Sequence, residues 1–450
     1  MRLPLADQLR DVVGAVPTPA RDPDVPRVEG GSDRLADALG GEWQEARGRR
    51  YLVVDRTYAA GYRHGREAIM DGMPPPEGIW PGLHLLCGGD LLPSENSRLQ
   101  AVCASEDPRP HVRRSQRLLF VDLETTGVAG GAGTYAFLVG CGWFEAATFR
   151  IRQFFLSSYG AEPALLEGVT QLAEEATAIV TFNGKSFDLP LIETRYLFYR
   201  MATPFLELPH VDMLHPARRL WRAENDRTGG ALGSCRLSVL ERSLCGVVRD
   251  GDLDGFEIPS RYFTYVRTGD PRTLEAVFEH NRLDLVSLAL VTARAAQLIE
   301  AGPEAARTAP EALGLGRIYE RAGLVNDACA CYTRVPRLSG DVVTRAEALR
   351  AYAVICRRAR RYADAALAWQ AILDLKRSPP RLAREATEAL AIHHEHRVRD
   401  LLAARRFALE SLGFHGTPSR QDDVRHRLAR LDRKLARTAA GPSTPLLPGV

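Results

Sequence analysis

Leu118-Leu119-Phe120-Val121-Asp122-Leu123-Glu124 is an apolar run that ends on two carboxylates one residue apart. Phe120 and Val121 read as strand, and side chains two apart on a strand share a face. Asp122 and Glu124 therefore project together from the end of a buried strand. Two like charges side by side in apolar surroundings repel and are costly to desolvate unless a cation lies between them. A solvated strand end, with Leu123 turned inward and both acids outward, accommodates the same residues. The choice rests on what the rest of the chain brings to the pair.

Outward from this run, strand patterns occupy 117–122, 135–143 and 149–156. A helical stretch follows near 162–175, then the short apolar strand Ala178-Ile179-Val180-Thr181-Phe182, then helices at 189–200 and 272–299. Three strands followed by mixed helices and strands predict an α/β (α+β) sheet domain over 116–300. Beyond 305 the pattern is continuous amphipathic helix with an internal repeat. Ile318-Tyr319-Glu320-Arg321-Ala322 corresponds to Ile355-Cys356-Arg357-Arg358-Ala359, an offset of 355 − 318 = 37, and a weaker copy begins 37 further on at Ile392. That period is close to the tetratricopeptide unit of about 34 residues, which predicts an all-α helical repeat domain over 305–412. Such units present a concave surface to a protein partner; bracing of the first domain explains the same helices. Residues 413–450 hold a basic helix, Val424 to Arg437, and a Pro-rich end that reads as disordered. Residues 1–30 read as disordered too, and 31–115, broken by Met73-Pro74-Pro75-Pro76, receives no role.

At 450 residues the chain is long enough for two or three domains. Its 59 basic and 56 acidic residues leave a formal charge of +3, which excludes a polycationic nucleic-acid coat and permits a local basic groove. The eight cysteines form no C-x-x-C pair. No signal core and no apolar stretch of membrane-spanning length is present. The expectation is a soluble cytoplasmic protein with no membrane partner.

Two further acidic motifs lie downstream. In Thr181-Phe182-Asn183-Gly184-Lys185-Ser186-Phe187-Asp188, a strand runs into a turn dipeptide and Asp188 falls near the start of the next helix; alone, it would serve as a helix cap. In His280-Asn281-Arg282-Leu283-Asp284, the i, i+4 spacing puts His280 and Asp284 on one helix face; alone, they would form an inconsequential surface pair.

Taken in order, D-x-E on the first strand, N-x-x-x-F-D after a later strand and H-x-x-x-D on a late helix resemble the DEDD superfamily of 3′→5′ exonucleases, built on the ribonuclease H-like fold. The chain is still more similar to an uncharacterised bacterial family that joins a ribonuclease H-like domain to tetratricopeptide-type repeats. Glu124 through Phe137 and Asp252-Leu253-Asp254-Gly255-Phe256-Glu257-Ile258-Pro259 carry that narrower likeness. The resemblance implies that Asp122, Glu124, Asp188 and Asp284 hold two divalent cations, Mg²⁺ or Mn²⁺. Hard cations prefer carboxylate oxygen, and a pair about 3.5–4 Å apart stabilises both entering and leaving oxygens of a phosphodiester. Asp122 would bridge, Glu124 and Asp284 would share the nucleophile-side ion, and Asp188 would serve the leaving-group ion. His280 departs from the superfamily, standing at the spacing where some members carry Tyr, four before the last Asp. It either orients and deprotonates the attacking water or is plain helical surface.

The implied activity is removal of 3′-terminal nucleotides from single-stranded DNA or RNA. Thr125, Asn183, Lys185 and Phe187 are candidate substrate contacts, with Arg219 and Trp221 as a phosphate contact and a stacking platform unless that helix packs them inward. A nucleic-acid-binding or protein-interaction scaffold without nuclease activity is the alternative, and a ribonuclease H-type endonuclease a third reading. Three other signals are set aside. Gly131-Ala132-Gly133-Thr134-Tyr135-Ala136 precedes a strand, whereas a dinucleotide fingerprint opens a helix. Gly184-Lys185-Ser186 lacks the earlier glycine of a phosphate loop. His393-His394-Glu395-His396 lacks zinc-protease spacing. Asp212 is expected to support the site from behind or to cap the next helix.

Overall fold

The computed structural model describes residues 32–75, 80, 82–87, 117–127, 133–221, 235–249, 251–414 and 418–439. In chain order its strands are β1 (Glu42–Ala46), β2 (Arg49–Ala59), β3 (Arg63–His64), β4 (Glu67–Ala68), β5 (Leu118–Thr125), β6 (Ala136–Glu145), β7 (Thr148–Phe155), β8 (Ala178–Thr181) and β9 (His210–Asp212). Seven of them form one mixed sheet in the order β1-β2-β7-β6-β5-β8-β9, while β3 and β4 make a small separate hairpin. The first five in that order pair antiparallel, and β8 and β9 run parallel to β5. The expected mixed α/β sheet is present, but it starts at Glu42 rather than near 116. Tyr51-Leu52-Val53-Val54 is buried and pairs with β7, so part of the 31–115 region completes the sheet. The Pro-rich break after it masks this short strand signal in the sequence. Residues 1–30, expected to be disordered, and 440–450 of the Pro-rich end lie outside the described residues.

Strand alternation on β5 divides the interior into two cores. Leu118 and Phe120 pack with Ile151, Val180 and Val211 on one face, and Leu119, Val121 and Leu123 pack with Val139 and Ile179 on the other. Both faces of β5 are therefore covered, and the reading with a solvated outer face does not hold. Helices α1 (Ser32–Leu39), α3 (Glu162–Ala173), α4 (Asp188–Phe198) and α7 (Ile258–Thr268) line the second face; α2 (Leu83–Leu86), α5 (Leu214–Leu220) and α6 (Leu237–Leu244) line the first. The long helix α8 (Arg272–Ala301) serves both: Leu274, Val277 and Phe278 join the second core, and the stretch from Leu285 onward joins the first. Asn281 sits where it changes sides.

The remaining helices are α9 (Ala309–Arg321), α10 (Val325–Arg334), α11 (Val342–Arg358), α12 (Tyr362–Asp374), α13 (Pro380–His393), α14 (Leu401–Leu412) and α15 (Pro418–Ala439). They pack as successive neighbours, and α9 continues the sheet's own core rather than starting a new one. At that joint a Cβ on Gly314 would stand 2.2 Å from the Arg219 carbonyl oxygen, so glycine is what lets α9 press onto α5. Trp221 is fully buried there and donates Nε1–H to Glu311 Oε1 at 3.1 Å. It is a packing residue and no base-stacking platform. Buried Glu395 receives Arg430 Nη2 at 2.8 Å and Lys434 Nζ at 2.7 Å, tying α15 down. Burial raises its carboxyl, but these donors hold it at about 2. No helix among the described residues is long and apolar enough to cross a membrane.

Candidate active site

Because β5, β8 and β9 are parallel, their carboxyl ends open on one edge of the sheet, where irregular backbone can expose functional groups. Asp122 and Glu124 stand at the end of β5, and a register irregularity between Glu124 and Thr125 ends the pairing there. Thr125 donates its hydroxyl to Gly127 O at 2.9 Å. Thr126 and Tyr135 hydrogen-bond across the loop mouth; residues 128–132, with most of the glycine-rich stretch, lie outside the described residues. β6 opens at Ala136, so that stretch precedes a strand, as expected.

At the end of β8, Asn183 adopts a left-handed φ of 69°, which Asn tolerates better than most residues. Asp212, buried at the end of β9, gathers the turn: it accepts from Asn183 N at 2.7 Å, Lys185 N at 3.1 Å and Leu214 N at 3.1 Å. Asp212 thus supports the turn that delivers Asp188 and accepts the first backbone N–H of α5, while the N-cap position of that helix belongs to Met213. Asp188 is the first residue of α4. Phe187 before it is 57% exposed. The Lys185 ammonium lies near His210, whose imidazole is lowered to about 3 by burial first and by Lys185 second.

α8 supplies the opposing wall. Asp122, Gly140 and Gln153 form a row across β5, β6 and β7, and Asn281 lies over the glycine. Its Nδ2 donates to Asp122 Oδ2 at 2.8 Å and its Oδ1 accepts from Gln153 Nε2 at 2.9 Å. Gln153 also donates to the Phe278 carbonyl at 2.9 Å. A Cβ at position 140 would come within 2.2 Å of Asn281 Oδ1, so only glycine leaves room for this bridge. One turn on, Asp284 Oδ1 accepts from Arg249 Nη2 at 2.6 Å. Arg249 is forked onto buried Glu241 through Nε and Nη2, both at 2.7 Å, and donates to Asp252 Oδ2 at 3.2 Å. Asp252 Oδ1 lies 2.7 Å from His280 Nδ1, and His280 Nε2 lies 3.7 Å from Asp284 Oδ2.

The acids act on one another. Asp122 is pushed well above the usual carboxylate range by burial first, then by Asp284 and Asp188, with Asn281 and Arg249 offsetting part of the rise. Glu124 is pushed up by burial, then by Asp122, Asp284, Asp188 and Asp252. Asp188 is raised to about 7 by burial and Asp212. The four expected acids come from three separate stretches, and Asp188 and Asp284 both lie near enough to raise the buried Asp122 and Glu124, with His280 beside Asp284.

Residues 119–296 match the RNase H superfamily. Uncharacterized protein YprB of Bacillus subtilis (strain 168) is 30% identical over 322 residues, 70% of this chain and 75% of that protein. The chain belongs to the YprB family. The aligned 322 residues exceed the 296 − 119 + 1 = 178 of the superfamily match, so the YprB likeness runs well beyond the nuclease-type domain.

This YprB-family site contains residues that the motif reading did not single out: Asn281, Gly140, Gln153, Arg249, Glu241 and Asp252. Two of them stood inside quoted stretches without a role of their own, Asn281 between His280 and Asp284 and Asp252 at the head of Asp252–Pro259. The rest act through contacts between elements far apart in sequence. Among the described residues no three His, Cys, Asp or Glu side chains are drawn together as ligands of one ion; Asp122 Oδ2 is engaged by Asn281 and Asp284 Oδ1 by Arg249. The donor set nonetheless fits hard divalent cations. It is all carboxylate oxygen, and its mutual repulsion and desolvation are what bound dications relieve.

Proposed function

We propose that this protein is a divalent-cation-dependent 3′→5′ exonuclease of the DEDD type, acting on single-stranded nucleic acid. The observation that carries the reading is the convergence of Asp122, Glu124, Asp188 and Asp284 at one sheet edge, where each of the first three is raised by burial and by a neighbouring carboxylate. These four residues would hold Mg²⁺ or Mn²⁺. Such ions, when bound, acidify an attacking water and stabilise charge developing on the phosphoryl oxygens. Asn281 fixes the orientation of Asp122, and Arg249 fixes one oxygen of Asp284 while the other faces His280 Nε2 at 3.7 Å. His280 presents Nε2 beside Asp284, placed to orient or deprotonate the water.

A single-stranded substrate fits the rim. Phe187 adjoins Asp188, and Phe256, 77% exposed, follows Asp252 by four residues; exposed rings this near in sequence to the acids suit stacking on unpaired bases. Lys185 adds a cation to the same turn. Tetratricopeptide-like helices that brace the sheet domain are favoured over a docking platform by the continuous core across α5 and α9.

The test is incubation of 5′-labelled single strands of DNA and RNA with Mg²⁺ or Mn²⁺, against EDTA and Asp122→Ala. Stepwise shortening from the 3′ end, lost in both controls, is expected. Strands left intact with both metals would remove the enzymatic reading, and internal cuts on a 3′-blocked strand would replace it with an endonuclease.

A further inference from the structure

We infer that Asp252 is the positioning residue for His280, holding its proton on Nδ1 and leaving Nε2 as the bare nitrogen turned toward Asp284. The catalytic consequence rests on the exonuclease reading; the placement of the proton does not.

An ionised carboxylate only accepts hydrogen bonds, so the 2.7 Å contact between Asp252 Oδ1 and His280 Nδ1 makes Nδ1 the donor. The carboxylate is itself held from two other sides. Leu253 N donates to Oδ1 at 3.0 Å and Arg249 Nη1 to Oδ2 at 3.2 Å. Arg249 in turn is anchored by its fork on Glu241, which accepts from Ser287 and lies 3.7 Å from His64 Nε2. The ring is thus fixed by a chain of groups reaching into the core. Its other nitrogen is not tied up: Nε2 stands 3.7 Å from Asp284 Oδ2, beyond hydrogen-bond reach, while Asp284 Oδ1 is taken by Arg249. A carboxylate that selects one imidazole tautomer and leaves the far nitrogen facing the reacting atoms is the arrangement that proton-accepting histidines require. The support for the ring comes from a different segment of the chain, 28 residues earlier.

The experiment uses the full chain labelled with ¹⁵N-histidine, the His280 signal being assigned with His280→Gln. Ring-nitrogen shifts at pH 8 report the tautomer directly. The wild type should show protonated Nδ1 and bare Nε2, and Asp252→Ala should move the proton largely to Nε2, while Asp252→Asn, which keeps an accepting oxygen, should retain more of the original form. In the shortening assay Asp252→Ala should lower kcat about tenfold or more with KM little changed, and Asp252→Asn should recover part of it. A wild-type Nε2–H tautomer, or one unchanged in Asp252→Ala, would overturn the inference without reference to activity. Unchanged kcat in Asp252→Ala beside an active wild type would overturn its catalytic part. If the wild type cleaves nothing, the exonuclease reading fails and the tautomer still decides the placement. Should Asp252→Ala not fold, the wild-type and Asp252→Asn spectra suffice.

Discussion

Asn281 donates its side-chain amide to the Asp122 carboxylate at 2.8 Å and to the Asp122 carbonyl at 3.2 Å, joining residues 159 positions apart. Helix α8 and strand β5 are registered against each other by this contact, so Asp122 and Glu124 on the strand and Asp284 on the helix are set by the same amide.

Asn281→Leu should therefore be damaging twice over. It strands Gln153 and Asp122 without their buried partner, at a cost of about 1–3 kcal/mol, and it releases the Asp122 carboxylate. Gly140→Ala should act from the other side, since its Cβ would meet Asn281 Oδ1 at 2.2 Å; overpacking of this kind costs about 1–3 kcal/mol. Urea unfolding of the two variants and of the double variant measures this. Additive losses would show that the two side chains do not share one contact.

Arg249 and Glu241 form a pair whose side chains are 5% and 1% exposed. Removing one partner leaves a buried charge uncompensated, so Arg249→Met should lose about 3–5 kcal/mol, and Glu241→Gln with Arg249→Met should recover part of that loss. Arg249→Lys keeps the charge but cannot fork onto Glu241 while reaching Asp284; it should fold and turn over slowly. Chemical denaturation beside single-turnover rates separates the two effects.

Asp188 illustrates the pH dependence. Its folded value of about 7 lies above the unfolded value of about 4. Between the two the native state binds more protons than the unfolded chain, so stability falls as pH rises through that window. Asp122 and Glu124 are raised in the same sense. A dication favours the ionised carboxylates and should raise Tm more at pH 8 than at pH 5.5. Calorimetric scans with and without Mn²⁺ test this; equal shifts at both pH values would contradict it.

Phe187 and Phe256 should matter for binding and little for folding, because both rings are largely exposed. Replacing either by Ala in the Asp122→Ala background should weaken single-strand binding by about 1–3 kcal/mol for each lost stack, with duplex binding unaffected. Fluorescence anisotropy with matched single and double strands distinguishes this from a general loss of affinity.

Much of the sheet domain was legible in the chain. The runs of β5, β6, β7 and β8 carry apolar patterns dense enough to read one by one, and each lies within a few residues of its expected bounds. β1 and β2 were not legible as part of the same sheet, because about 60 residues separate β2 from β5 and the Pro-rich segment looks like a boundary. Trp221 shows the same limit. A tryptophan among arginines reads equally as a nucleic-acid contact or as core, and only Glu311 on α9 decides between them.

The order of acidic motifs and the alternation along each strand are properties of the linear chain, and they determined which carboxylates were candidates and which domain class carries them. Partners were decided by tertiary structure alone. Asn281 on Asp122, Arg249 between Glu241 and Asp284, and Asp252 on His280 arise because α8 crosses from one core to the other over a glycine, and local spacing holds no record of such long-range contacts. Side-chain chemistry is written residue by residue, whereas the low dielectric that makes these charges interact exists only once the surrounding elements have packed.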